Sequence, residues 1–223
     1  MKFALPNQMV QNYEDFLNTD VCKTVRYCRD ILADEPIWIN ERVELSPINY
    51  KSKQYGSDNS MRVRMSKNSD MQKGDVVDYD GKLYLVTWQI NDDIIDSHTC
   101  IMEMLASEIT FKRYHDQEVD DYGNIVQDAF YEKICTCRCM HITAGNYEVR
   151  LKNSQPGLWV NDKRMITIQA NPITMNIKRG DVYKFFEEIH IVRDIGYSEL
   201  TYDMQHGILI LYVDIIADGV ALE

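Results

Sequence analysis

Long hydrophobic runs are missing from this 223-residue chain. The longest, Ile208 to Val213, falls far short of the roughly 20 apolar residues that a membrane helix needs, so no membrane partner is expected. Met1 to Pro6 is too short an apolar start for a secretory signal, and polar Asn7 and Gln8 follow at once. A reducing cytoplasm is therefore expected, with the six cysteines as free thiols. Dense Lys/Arg runs are also missing, and the formal net charge is -11. Proteins that grip phosphate backbones line one face with Lys and Arg, and this balance argues against such a grip.

Catalytic signatures are missing as well. The chain has no Gly-x-x-x-x-Gly-Lys, no Gly-x-Gly-x-x-Gly and no Gly-x-Ser-x-Gly. Asp92, Asp93 and Asp96 cluster, but no EF-hand spacing surrounds them, and a solvated acidic loop is expected. Cys135, Cys137, Cys139 and His141 alternate along one run. On a strand they would share one face at about 7 Å intervals, too spread for one tetrahedral zinc. No Cys-x-x-Cys pair exists to complete a site, so a buried thiol row is expected instead. His98 and Cys100, two apart on a strand, lack the geometry of a nucleophile and its base, and no third orienting group is identifiable. The reading is a non-enzyme with no catalytic residue, no cofactor and no metal.

What is present is a hairpin. Lys73 to Val86 alternates apolar and polar residues on both sides of Asp80-Gly81, a pair suited to the positive φ angles of a tight hairpin turn. The unit recurs at Arg179 to Val192, where basic-Gly-Asp-Val superposes without a gap. Gly74 and Asp75 then match Gly180 and Asp181, Tyr79 matches Phe185, and Leu83, Leu85 and Val86 match Ile189, Ile191 and Val192. Extending the match places Met102, Met104 and Leu105 on Ile208, Ile210 and Leu211. The copy carries Phe186-Glu187 where the first unit has Asp80-Gly81. Gly74, Asp75, Asp80, Gly81, Gly180 and Asp181 are read as fold-defining turns, and the Arg-Gly-Asp at 179–181 as structural rather than adhesive. His190 falls on Tyr84, which makes it a strand residue.

Elsewhere, Phe16, Leu17, Val21, Val25, Cys28 and Leu32 recur at three- and four-residue spacings, predicting a helix over Tyr13 to Leu32 that Pro36 follows. Ser46 to Ser60 reads as a loop or arm, and Met61 to Met65 as a strand. A third strand, Cys100 to Ile109, should return across the first hairpin. Tyr147 to Leu151 alternates clearly, and Trp159-Val160 with Met165 to Ile168 reads as another hairpin. The expected fold is mainly β: two related small β-barrel or sandwich modules in tandem with one N-terminal α-helix. Its expected divisions are 1–60 (helix and extended arm), 61–112 (first β-module), 113–157 (connecting region) and 158–223 (second β-module).

This order of elements, with Lys-Gly-Asp, then Trp159 to Gln169 and Arg-Gly-Asp, resembles neck proteins of tailed bacteriophages and prophages of Gram-positive bacteria. Arg62 to Ile90 resembles the first β-module and Trp159 to Asp214 the second. It also looks like a doubled form of the small stopper, or head-closure, proteins. The resemblance implies a non-enzymatic virion protein, assembled in the host cytoplasm, forming a homo-oligomeric head–tail connector ring. Portal or adaptor proteins and tail proteins would be its neighbours, and DNA would pass through without sequence-specific binding. Arms such as Ser46 to Ser60 and Asp116 to Asn124 would order against neighbours. An acidic lining would let DNA slide, because phosphate repulsion removes the counterion-release gain. Competing readings are a tail completion or minor tail protein, and an SH3-like nucleic-acid-binding protein.

Overall fold

The computed structural model describes residues 13, 15–48, 60–92, 97–142, 164–197, 199–200 and 206–216. The protein is mostly β and builds two closed six-stranded antiparallel barrels in tandem. The first uses β1 (Lys23–Cys28), β2 (Ile39–Pro47), β3 (Ser60–Ser66), β4 (Val76–Tyr79), β5 (Lys82–Asp92) and β6 (Ser97–Met104), in the order β1-β2-β3-β6-β5-β4. Pairing of Cys28 with Val76 closes it. Next come β7 (Ser107–His115), a separate two-stranded ribbon of β8 (Glu118–Val119) and β9 (Ile125–Gln127), and then β10 (Phe130–Ile142). With β11 (Arg164–Ala170), β12 (Val182–Phe185), β13 (Glu188–Gly196) and β14 (Gly207–Ile216), the second barrel runs β10-β11-β14-β13-β12-β7. Closure leaves neither barrel with an open sheet edge, the usual template for unwanted pairing.

The two barrels are copies of one plan. Lys112 pairs with Val182 as Cys28 pairs with Val76, so β7 repeats β1 and β12 repeats β4. Both long strands are bulged at the same place, between Val86 and Trp88 and between Val192 and Asp194. The first core is built from Val25, Tyr27, Val43, Val63, Met65, Val77, Tyr84, Val86, Cys100 and Met102. In the second unit Ile109, Phe111, Cys137, Ile168, Tyr183, His190 and Val192 are buried. Phe111 packs on Tyr183 at 5.3 Å between ring centres, and Tyr183 stacks on His190 at 4.9 Å.

Several expectations change here. The N-terminal helix predicted over Tyr13 to Leu32 is present but short, ending at Leu17, and Lys23–Cys28 is strand. Val25 and Tyr27 alternate with exposed Thr24 and Arg26, and long-range pairing with β2 and β4 decides the conformation. The segment 1–60, drawn as helix and arm, therefore supplies β1 and β2 to the first barrel. Cys100 to Ile109 is split: Met104 ends β6, and Ser107 opens the second barrel. Chain contacts accordingly divide the molecule into Met1–Leu105 with Thr201–Ile208, and Ala106–Leu200 with Leu209–Glu223. The ungapped match also drifts beyond the hairpin. Val86 pairs with Met102, but Val192 pairs with Val213, so Met102 corresponds to Val213 rather than Ile208. Most of the Ser46 to Ser60 loop, the Tyr147 to Leu151 alternation and Trp159-Val160 lie outside the described residues.

Candidate interaction site

Each barrel is pinned by one polar corner. At the first, Gly74 takes φ +93° and donates its N–H to Val86 O at 2.9 Å, while Val86 N donates back to Asp75 O. Gly180 takes the same φ and donates to Val192 O at 2.9 Å, with Val192 N returning to Asp181 O. Both aspartates are buried, and each accepts the backbone N–H three residues before it, from Gln72 at 2.8 Å and from Lys178 at 2.7 Å. Each also faces an arginine, Arg29 just past the end of β1 and Arg113 within β7. Arg113 grips Asp181 with two hydrogen bonds of 2.8 and 2.9 Å, whereas Arg29 stands 3.6 Å from Asp75. Burial therefore dominates at Asp75 and raises its pKa to about 6 despite the Gln72 and Arg29 contacts. Hydrogen bonding to Asp181 raises that of Arg113. The Arg-Gly-Asp at 179–181 is thus occupied internally by a buried carboxylate.

The remaining sequence-singled residues are dispersed. Cys135, Cys137 and Cys139 are buried at alternate positions of β10. The Cys137 thiol, hydrogen-bonded to the Cys135 thiol, is held above its ordinary range, and burial pushes Cys139 up to about 12. Cys100 lies in the first core, where burial likewise pushes it up to about 12. Cys100, Cys137 and Cys139 are therefore poor nucleophiles, since the thiolate is the reactive form, whereas the hydrogen bond with Cys137 lowers the pKa of Cys135. Among the described residues no group of three or more His, Cys, Asp or Glu is placed to hold a metal ion. Asp93 and Asp96 lie outside those residues, as does the His141 side chain. No described helix is long and apolar enough to cross a membrane.

What the two copies do not share is at the surface. Between β7 and β10 the second copy carries the ribbon β8–β9, where the first has only the connection from Cys28 to Ile39. Its stem is an aromatic clasp: Tyr114 meets Tyr131 at 5.3 Å, His115 stacks on Phe130 at 4.8 Å, and His115 Nε2 lies 2.8 Å from Glu132 Oε2. Its tip is built around Asp120, whose Oδ1 accepts N–H bonds from Tyr122 and Asn124 and whose Oδ2 accepts from the Asn124 side chain. Those bonds hold the Asp120 pKa below the ordinary carboxylate range, and Gly123 at φ +82° lets the chain turn. Yet Val119, Tyr122, Ile125 and Val126 are exposed, Tyr122 at 91%. Five carboxylates (Asp116, Glu118, Asp120, Asp121, Asp128) and no Lys or Arg lie between Tyr114 and Tyr131.

The β12–β13 turn differs too. Asp80 and Gly81 both take positive φ in the first copy, at 53° and 71°. In the second, Phe186 holds φ 52° with its ring 81% exposed. A bulky residue there costs about 1–2 kcal/mol that glycine would not. The first unit carries an open cavity of about 680 Å³, with Ile37 and Ile39 on its wall and the carboxylates Asp30, Glu35 and Asp70 around it.

No known protein family matches the chain, and no curated protein does. Among solved structures it is similar to MrkH of K. pneumonia at 7% identity, over 96% of this chain and 87% of that one. The TM-score of 0.16 carries no argument about fold or function.

Sequence reading found the Gly-Asp corners but missed Arg29, Arg113 and Phe186. A signal for the arginines exists: Val25-x-Tyr27-x-Arg29 repeats as Ile109-x-Phe111-x-Arg113. The helical reading of Tyr13 to Leu32 concealed it.

Proposed function

We propose that this protein is a structural subunit of a tailed-phage neck, assembling as a homo-oligomeric head–tail connector ring in the virion. The observation that carries the reading is the β8–β9 ribbon: a preorganised arm, absent from the sister barrel, that exposes Val119, Tyr122, Ile125 and Val126. Isolated two-stranded ribbons are marginally stable in water, and apolar residues at an arm's tip serve contact with a neighbour. Closed barrels supply a rigid body, which a ring under DNA pressure requires, and they leave arms as the variable part. The resemblance of the two basic-Gly-Asp hairpins to stopper-like proteins supplies the particular role. In that role the chain is non-enzymatic, takes no cofactor, and meets portal or adaptor proteins on one side and tail proteins on the other.

The net charge of -11 and the acidic arm favour a channel that DNA traverses without adhering over the SH3-like nucleic-acid-binding alternative. Electron microscopy of the purified protein and of intact particles tests the reading. Rings alone, or density at the neck, are expected. A monomer that never enters a particle overturns it, location within the tail would favour the tail-completion role, and tight DNA retention on a filter at low salt would favour the nucleic-acid alternative.

A further inference from the structure

The cavity of the first unit lies at one mouth of its barrel. Its lining comes from the end of β1, the start of β2 and the connections 29–38 and 67–75. Barrel mouths are a recurrent place for small ligands, and about 680 Å³ is within the usual range of such sites. Three carboxylates stand around it, Asp30, Glu35 and Asp70, and none has an ion-pair partner among the described residues. The guanidinium on the same wall is already engaged. Arg29 donates from Nη2 to Asp70 O at 3.1 Å and stands 3.6 Å from the buried Asp75. The site therefore keeps an excess of negative charge. Ala33, Ile37, Ile39 and Met71 give it an apolar wall.

Tyr27 is a second and independent sign of a ligand. It lines the same cavity, is only 2% exposed, and belongs to the core of the barrel. Its hydroxyl forms no hydrogen bond within the described residues and is left for whatever occupies the cavity. Burial, then the charges of Glu41, Asp75 and Asp70, push this phenol up to about 12, so it is protonated at neutral pH. Its oxygen can accept from a cation, as the carboxylates do. A metal ion fits poorly, because no described group of three or more His, Cys, Asp or Glu is placed to hold one. A hard cation also gains nothing from an isoleucine wall. A linear amine suits both parts, its ammonium groups meeting carboxylates and its methylenes meeting the apolar wall. We propose that this cavity binds a linear polyamine, with Asp30, Glu35 and Asp70 taking its ammonium groups and the Tyr27 hydroxyl accepting from the innermost one. The site needs only the first barrel and does not rest on the neck reading.

Isothermal titration calorimetry of the full chain with spermidine tests it. One site per chain is expected, and Mg2+ at matched ionic strength should fail to displace the amine. Glu35→Gln with Asp70→Asn, both at exposed positions, should weaken binding about tenfold or more. Tyr27→Phe should weaken it roughly threefold or more without lowering the melting temperature, because the hydroxyl has no partner in the fold. Asp116→Asn with Glu118→Gln removes the same charge beside and within β8, and should leave the affinity within about twofold of the parent. Equal losses from the two pairs would show attraction to net charge alone and overturn the site. No saturable binding below about 1 mM, or displacement by Mg2+, would overturn it as well. Nα-acetyl-lysine methylamide binding as tightly as spermidine would overturn the polyamine assignment in favour of a protein side chain.

Discussion

Asp75 and Asp181 occupy the same corner of the same plan but differ in how their charge is met. Asp181 is buried under a two-pronged Arg113, and an asparagine there would remove the charge and turn one of the two accepting oxygens into a donor facing the guanidinium. Asp181→Asn should therefore cost about 2–3 kcal/mol in urea unfolding at neutral pH. Asp75→Asn should cost less than about 1 kcal/mol, because Arg29 stands off at 3.6 Å and an amide oxygen can still accept from Gln72 N. Equal losses would refute this ranking. His190 gives a pH signature. Neither of its ring nitrogens has a hydrogen-bond partner, it is stacked on Tyr183, and burial together with Arg164 lowers its pKa. A histidine with a lowered folded pKa stabilises fully above its unfolded value of 6.5 and loses that contribution as pH falls through it. Asp75 works in the opposite sense, since its folded pKa of about 6 exceeds 3.8, and its contribution declines as pH rises through that window. Unfolding free energies measured from pH 8 down to about pH 5.5 should thus fall more steeply for the parent than for His190→Phe. Parallel profiles would show that the imidazole is not the group being charged.

At the level of elements, the β8–β9 ribbon separates folding from function. Its apolar side chains face water, so replacing Val119, Ile125 and Val126 with Thr should move stability by no more than about 0.5 kcal/mol each. The same triple substitution should abolish incorporation into particles, read by immunoblot of purified virions. A variant incorporated normally would remove the ribbon from the assembly interface. Much of this architecture was legible beforehand, and the exceptions share a cause. The hairpin around Asp80-Gly81 is local, with turn chemistry and alternation within a few residues, and its copy around Phe186-Glu187 was legible from the basic-Gly-Asp-Val tetrad and the alternation alone. Val25 and Cys28, by contrast, fit a helical stripe as well as a strand, and only partners such as Val43 and Val77, distant in sequence, resolve it. The strand ending at Met104 and the strand starting at Ser107 read as one because two residues separate them, although they belong to different barrels. Asp116 to Asn124 was recognisable as an arm from its turn and charges, but its clasp joins Tyr114 to Tyr131 across that arm. Phe186 gave no local warning, since its conformation is dictated by the β12–β13 pairing and not by its own preference.

For the whole molecule, duplication means two hydrophobic cores on one chain. Val25, Tyr27, Val63 and Val86 build one; Ile109, Phe111, Ile168 and Val192 are buried in the other. Each barrel closes its own hydrogen-bond ladder, so its cooperativity is set mainly within itself. The two corners differ in strength, with a bidentate arginine at one and a looser ion pair at 3.6 Å at the other. Calorimetry should therefore give a measured enthalpy larger than the van't Hoff enthalpy, the mark of more than one cooperative unit. Asp181→Asn provides the assignment, because it acts on the second barrel alone. It should lower one transition by roughly 8 °C or more and leave the other in place, given that about 1 kcal/mol moves a domain of this size by 4–8 °C. A single transition displaced as a whole would mean that the barrels unfold as one body. The ring reading gives the separation a use: one barrel can hold its place in an assembly while arms on the other exchange neighbours, without either core opening.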